Sequence, residues 1–175
     1  MLVDQGYLYD MKKIILILTL LTASVGLQSF AQQSKVSPLS SLLDNYYTIK
    51  NALVNSDGAA AAAKSQELLV AIDAVDVKTL PAEEAKFFLP LKEQLTASAK
   101  AIAGAKDIVA QRSSFAKLST DFYTLSKNVK ISTEPVYYSY CPMTKNYWLS
   151  SDQAIKNPYF GKQMLTCGTI KDTVI

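Results

Sequence analysis

DIVAQRSSFAKLSTDFYTLSKNV, residues 107–129, is the stretch that decides the fold. Asp107 is a good helix N-cap, because its carboxylate can accept from the free N–H groups of the first turn. Ile108, Gln111, Phe115, Leu118, Phe122, Leu125 and Val129 then recur at heptad spacing. A helix with one apolar stripe needs other helices to cover that stripe, and the sequence on its N-terminal side supplies them.

Three further segments carry the same period. Ser37-Pro38 looks like an N-cap followed by proline at the first helical position, and Leu39, Leu42, Leu43, Tyr46, Tyr47, Leu53 and Val54 form the stripe. Asp57-Gly58 breaks that helix and can cap the next. The second helix opens with the alanine run Ala59 to Ala63 and continues into Leu68, Leu69, Ile72 and Val75. Thr79-Leu80-Pro81 starts a third, with Glu83 and Glu84 in the first turn, where the helix dipole favours acids. Its stripe is Phe88, Leu91, Leu95 and Ile102. Pro90 is expected to kink or split it, and Gly104 to end it. Four amphipathic segments with short joins predict an all-α fold, an up-and-down antiparallel four-helix bundle over residues 32–130. The pairs Tyr46-Tyr47 and Phe87-Phe88 read as core, and Arg112 as a solvated or surface-paired residue near Asp44 or Asp121.

The N-terminus predicts export. Met11-Lys12-Lys13, the apolar run Ile14 to Leu21, and Ser29-Phe30-Ala31 have the order of a signal peptide, with cleavage after Ala31. Acidic and aromatic residues in Met1 to Asp10 do not suit a leader, so translation is expected to begin at Met11. The apolar run is too short for a stable membrane span. After cleavage 16 basic and 13 acidic residues remain, so the net charge is still +3. No basic run suggests nucleic-acid binding. The chain has no histidine. That excludes hydrolases built on a histidine base and zinc sites with histidine ligands, and little else points to an enzyme.

After Lys130 the pattern changes to a β-branched and aromatic run, Ile131 to Tyr140, broken by Pro135. Tyr147-Trp148-Leu149 is a second extended run, with a turn between them. Ser150-Ser151-Asp152 can cap a short helical turn through Ile155, and Gly161 is a flexible joint. Residues 131–175 are therefore expected to be an irregular Cys/Met-containing module, with one hairpin and one or two helical turns. The module would pack on the bundle within one structural domain.

This module holds the chemistry. Cys141 and Met143 share a face if the backbone is extended, and Met164 and Cys167 share one on a helical turn. The two pairs could converge as two thiolates and two thioethers. Such soft ligands select Cu(I) or Ag(I) over zinc, calcium or magnesium. Tyr140, Tyr147 and Trp148 could shield the site. A second reading stands beside this one. Two cysteines 26 positions apart in an exported chain can form a disulfide, which would stabilise the module by roughly 3–4 kcal/mol. The protein would then be a disulfide-stabilised helical interaction module that binds no metal. Its docking surface would be Trp148, Tyr159 and Phe160.

Cys141-Pro142-Met143, Tyr147-Trp148-Leu149-Ser150, Asn157-Pro158-Tyr159-Phe160-Gly161, Met164-Leu165 and Cys167-Gly168 together resemble a bacterial family catalogued as domain of unknown function 3347. The helical part is similar as well, at Tyr46-Tyr47, Lys50, Leu53, Ala59 to Ala63, Arg112, Phe115, Leu118 and Ser119. The resemblance runs from about Leu39 to Val174. It implies a small secreted or periplasmic protein in a copper- or silver-efflux setting, since members also occur fused to the periplasmic adaptor subunits of such pumps. A partner of that kind is the corresponding expectation. Some members carry a histidine beside the Cys-Pro-Met. Here the neighbours are Tyr138-Ser139-Tyr140, so a site in this chain would be built from sulfur, or sulfur and oxygen.

Overall fold

The computed structural model describes residues 37–174; the expected leader lies outside the described residues. Four helices come first in the chain: α1 Ser40–Val54, α2 Gly58–Asp73, α3 Ala82–Gly104 and α4 Ile108–Asn128. They pack in sequence order, α1 on α2, α2 on α3 and α3 on α4. No helix among the described residues is long and apolar enough to cross a membrane.

The helix starts follow local chemistry. Asp57 accepts from Ala60 N at 2.9 Å and Asp107 from Ala110 N at 2.8 Å, so both expected caps are formed. At α1, the Ser37 hydroxyl accepts from Leu39 N in a turn that precedes the helix, and α1 itself begins at Ser40. In α3 the helix continues through Pro90 rather than splitting there. Pro90 and Lys86 both face solvent. Water can therefore hydrate the Lys86 carbonyl that the missing Pro90 N–H leaves free.

The apolar stripes are buried as their spacing requires. Leu42, Leu43, Tyr46 and Leu53 of α1 meet Leu68 and Ile72 of α2, Phe88, Leu95 and Ile102 of α3, and Phe115, Leu118, Phe122 and Leu125 of α4 in one core. Trp148, Leu149, Tyr138 and Cys141 from the C-terminal third belong to the same core. Tyr46 joins the two parts. Its hydroxyl is 2.8 Å from Ser119 Oγ of α4 and accepts from Leu149 N at 2.9 Å.

The C-terminal third corrects the all-α expectation. It forms a three-stranded antiparallel sheet in the order β2-β1-β3, with β1 Val136–Cys141, β2 Asn146–Ser150 and β3 Thr169–Val174. The protein is mostly α, with a small sheet following the four helices. The expected hairpin is β1–β2, closed by residues 142–145 with Lys145 in the left-handed region. β3 was not anticipated. Its side chains alternate between half-buried and exposed, so its hydrophobic signal is weak, and its partner β1 lies about thirty residues away. The helical turn expected at 151–155 is a series of bends, and the short 3-10 helix falls instead at Gly161–Met164.

Candidate functional site

β1 ends at Cys141, which is buried without exposed surface, and residues 142–145 turn back around its sulfur. Burial pushes the Cys141 thiol up. Neighbouring polar groups of Thr144, Asn157 and Met143 outweigh burial, so its pKa lies below the ordinary value. The Thr144 hydroxyl is buried and makes no hydrogen bond to a described residue. These polar neighbours favour the thiolate, the form that binds soft metals and attacks electrophiles.

Cys167 lies beside Cys141. Its thiol is pushed up by burial and by the neighbouring Cys141. Both are free cysteines, and the Cys141 thiol ionises more readily than the Cys167 thiol. Gly168 makes this approach possible. Its φ is +152°, and a Cβ there would sit 2.7 Å from the Trp148 ring and 3.0 Å from the Tyr140 carbonyl.

The Asn157-Pro158-Tyr159-Phe160-Gly161 run is the brace behind this pair. The Asn157 amide donates to the Cys167 carbonyl at 2.7 Å, and its side-chain oxygen accepts from Tyr159 N at 2.8 Å. Its backbone bonds to Leu165 and Gly161. Asn157 is fully buried, and its side chain touches both cysteines. Neither Asn157 nor Thr144 was singled out as a site residue from the sequence. The only signal was that Asn157 opens a conspicuous motif.

Arg112 ties this brace to the helices. Nε donates to Pro158 O at 2.8 Å, and Nη2 donates to Leu53 O at 3.2 Å and to Ser56 Oγ at 3.1 Å. Burial lowers the guanidinium's pKa. Pairing with a carboxylate such as Asp44 or Asp121, one of the two readings of Arg112, does not occur, because its donors are taken by carbonyls at the C-terminus of α1 and in the tail and by Ser56. Gly161 docks at the same place, with φ +57° and with Ser56, Val54 and Arg112 crowding its missing side chain.

The methionines are placed differently from the cysteines. Met143 sits in the hairpin turn and is 63% exposed, while Met164 ends the 3-10 helix and is half-buried. The Met164 carbonyl accepts from Cys167 N at 3.1 Å. Thus Met164 is joined to Cys167 through backbone, and Met143 stands two residues after Cys141 in the turn. Of the expected shielding residues, Trp148 shares a sheet face with Cys141, whereas Tyr140 and Tyr147 lie on the opposite face, 4.7 Å apart. Trp148 and Tyr159 are buried, so of the three residues expected to form a docking surface only Phe160 reaches solvent. Among the described residues, no group of three or more histidine, cysteine or carboxylate side chains is placed to hold a metal ion.

Lys50 is the other unanticipated residue. It is 2% exposed on α1, and its ammonium donates to Ser150 Oγ at 3.2 Å. Burial pushes its pKa down to about 8, partly offset by Asp152.

A family model described as Protein of unknown function (DUF3347) matches residues 42–134. The match spans the four helices and stops before β1. No curated protein and no solved structure matches the chain.

Proposed function

We propose, for a chain that belongs to the DUF3347 family, that it is an exported soft-metal-binding protein that sequesters Cu(I) or Ag(I) or hands it to efflux machinery. The observation that carries this reading is the proximity of Cys141 and Cys167, with polar groups of Thr144, Asn157 and Met143 favouring the Cys141 thiolate. Two adjacent thiolates match a soft monovalent ion and are a poor match for calcium or magnesium. Met143 and Met164 lie next in chain and backbone contact, and a thioether from either could complete the ligand set. Function by binding fits a chain with no histidine. The periplasm or the extracellular space fits the leader-like N-terminus, and an efflux adaptor or another metal-handling protein is the matching partner. The four helices are the scaffold. We read them as an up-and-down antiparallel bundle, because joins as short as residues 55–57 and 105–107 reverse the chain.

The test is a titration of the reduced protein with Ag(I) or Cu(I) against a chromophoric competitor. About one equivalent should bind, with Zn(II) ignored at similar concentration. Cys141→Ser or Cys167→Ser should abolish binding, and Met143→Leu or Met164→Leu should weaken it less. Unchanged affinity in the cysteine variants would end this reading.

The same proximity favours one alternative, a disulfide-stabilised interaction module that binds no metal. Thiol counting on the exported protein, with and without reductant, separates the two. A pair blocked until reduction supports the module, and a freely reactive pair supports the metal site.

A further inference from the structure

We propose that the cleft next to the cysteine pair binds a small organic acid, one carboxylate on an apolar body. The cleft has a volume of about 410 Å³, within the range of small-molecule sites. It lies between the first turns of α4, the hairpin turn and the loop around Phe160. Val109 and Phe160 give it apolar walls, and Arg112, Asn146 and Gln163 supply polar groups.

Three observations select the ligand. First, Arg112 is the one charged residue in the lining, and no carboxylate lines the cleft. Among the described residues, none lies within ion-pair distance of Arg112. Second, its guanidinium is only partly used. Nε and Nη2 hold Pro158, Leu53 and Ser56, while Nη1 makes no hydrogen bond to a described residue. These anchors fix the plane of the fork, and a fixed guanidinium edge suits a carboxylate. Third, the side-chain amides of Asn146 and Gln163 have no hydrogen-bond partner among the described residues. Either can donate to a carboxylate oxygen. A single cation matches a monoanion, and Val109, 72% exposed, and Phe160 leave an apolar surface for its body. This assignment does not depend on metal binding.

The probe is 3-phenylpropionate, followed by calorimetry and by NMR shifts of the cleft residues. Its amide, 3-phenylpropanamide, keeps the shape and removes the charge. The acid should bind at least about tenfold more tightly than the amide, an effect of the order expected for one partly solvated charge pair. Arg112 also holds the tail, so its replacement could unfold the protein. Val109 is the better lever. It lies exposed in the first turn of α4, where glutamate is compatible with the helix. Val109→Glu should weaken acid binding several-fold, and Val109→Lys should leave it equal or tighter. Gln163→Leu should weaken it, while Cys141→Ser should leave it unchanged, which separates this site from the metal site. Ala-Ala-Phe tests a peptide terminus as the source of the carboxylate. Binding of the peptide alone would overturn the small-acid assignment. So would equal affinity for acid and amide, no saturable binding, or Val109→Glu and Val109→Lys acting in the same direction.

Discussion

Replacing Lys50 by methionine should make the protein more stable at neutral pH. Lys50 is 2% exposed, donates to Ser150 Oγ, and has no carboxylate within ion-pair distance among the described residues. Burial lowers its pKa from 10.5 to about 8. That gap corresponds to about 3 kcal/mol of unfavourable burial of the charged form. Methionine has similar length and no charge. It gives up the bond to Ser150, which is worth about 1 kcal/mol, although Ser150 Oγ still accepts from Asp152 N at 3.1 Å. The expected net gain at pH 7 is therefore about 2 kcal/mol. The sign of the pH dependence follows from linkage. The folded pKa lies below the unfolded one, so below pH 8 both states hold the proton and the full cost is present. Between pH 8 and 10.5 the native state loses its proton first, so wild-type stability rises with pH. By pH 9.5 the wild type should recover about 2 kcal/mol through this group, and Lys50→Met should show no such rise. Measurements should stop near pH 9.5. Above it the buried Tyr46 and Tyr159 and the half-buried Tyr47, whose pKa values burial raises, begin to favour the unfolded state as the unfolded tyrosines ionise. Urea denaturation followed by circular dichroism at pH 7 and pH 9.5 measures both quantities. A variant less stable than wild type at pH 7, with the same pH slope as wild type, would refute the reasoning.

Gly161→Ala should cost roughly 2–3 kcal/mol, because the residue has φ +57° and a new Cβ would meet the Ser56 hydroxyl and, at 2.9 Å, the Val54 carbonyl. Limited proteolysis should then cut after residue 150 while the helical signal persists, and unchanged stability would show that this joint tolerates a side chain. Asn157→Leu should remove the bonds to Cys167 O and Tyr159 N at a cost of roughly 2–4 kcal/mol. It should also move the thiolate absorbance of Cys141 to higher pH, since a side chain that lowers its pKa is lost. An unmoved thiolate titration would show that Asn157 serves the backbone alone.

The helices were legible because their signals are local. Asp57 and Asp107 cap their own next turns, and the stripes of α1 to α4 repeat at the period of the helix whatever lies across from them. The hairpin was legible for a related reason, since its strands are neighbours in sequence. The third strand was not. A six-residue edge strand with a half-exposed alternating pattern acquires its identity from β1, and that pairing crosses the whole loop between Ser150 and Thr169. The two cysteines were identifiable by type, but their proximity depends on Gly168 closing against Trp148 and on Asn157 reaching both. Arg112 and Lys50 follow the same rule. Sequence shows a positive charge on a helix, but only the packed chain decides which charge meets backbone carbonyls and which is buried beside a serine. Secondary structure is fixed mostly by neighbours within a few residues, whereas the partners of a polar side chain are chosen by elements many residues away that arrive only when the core closes.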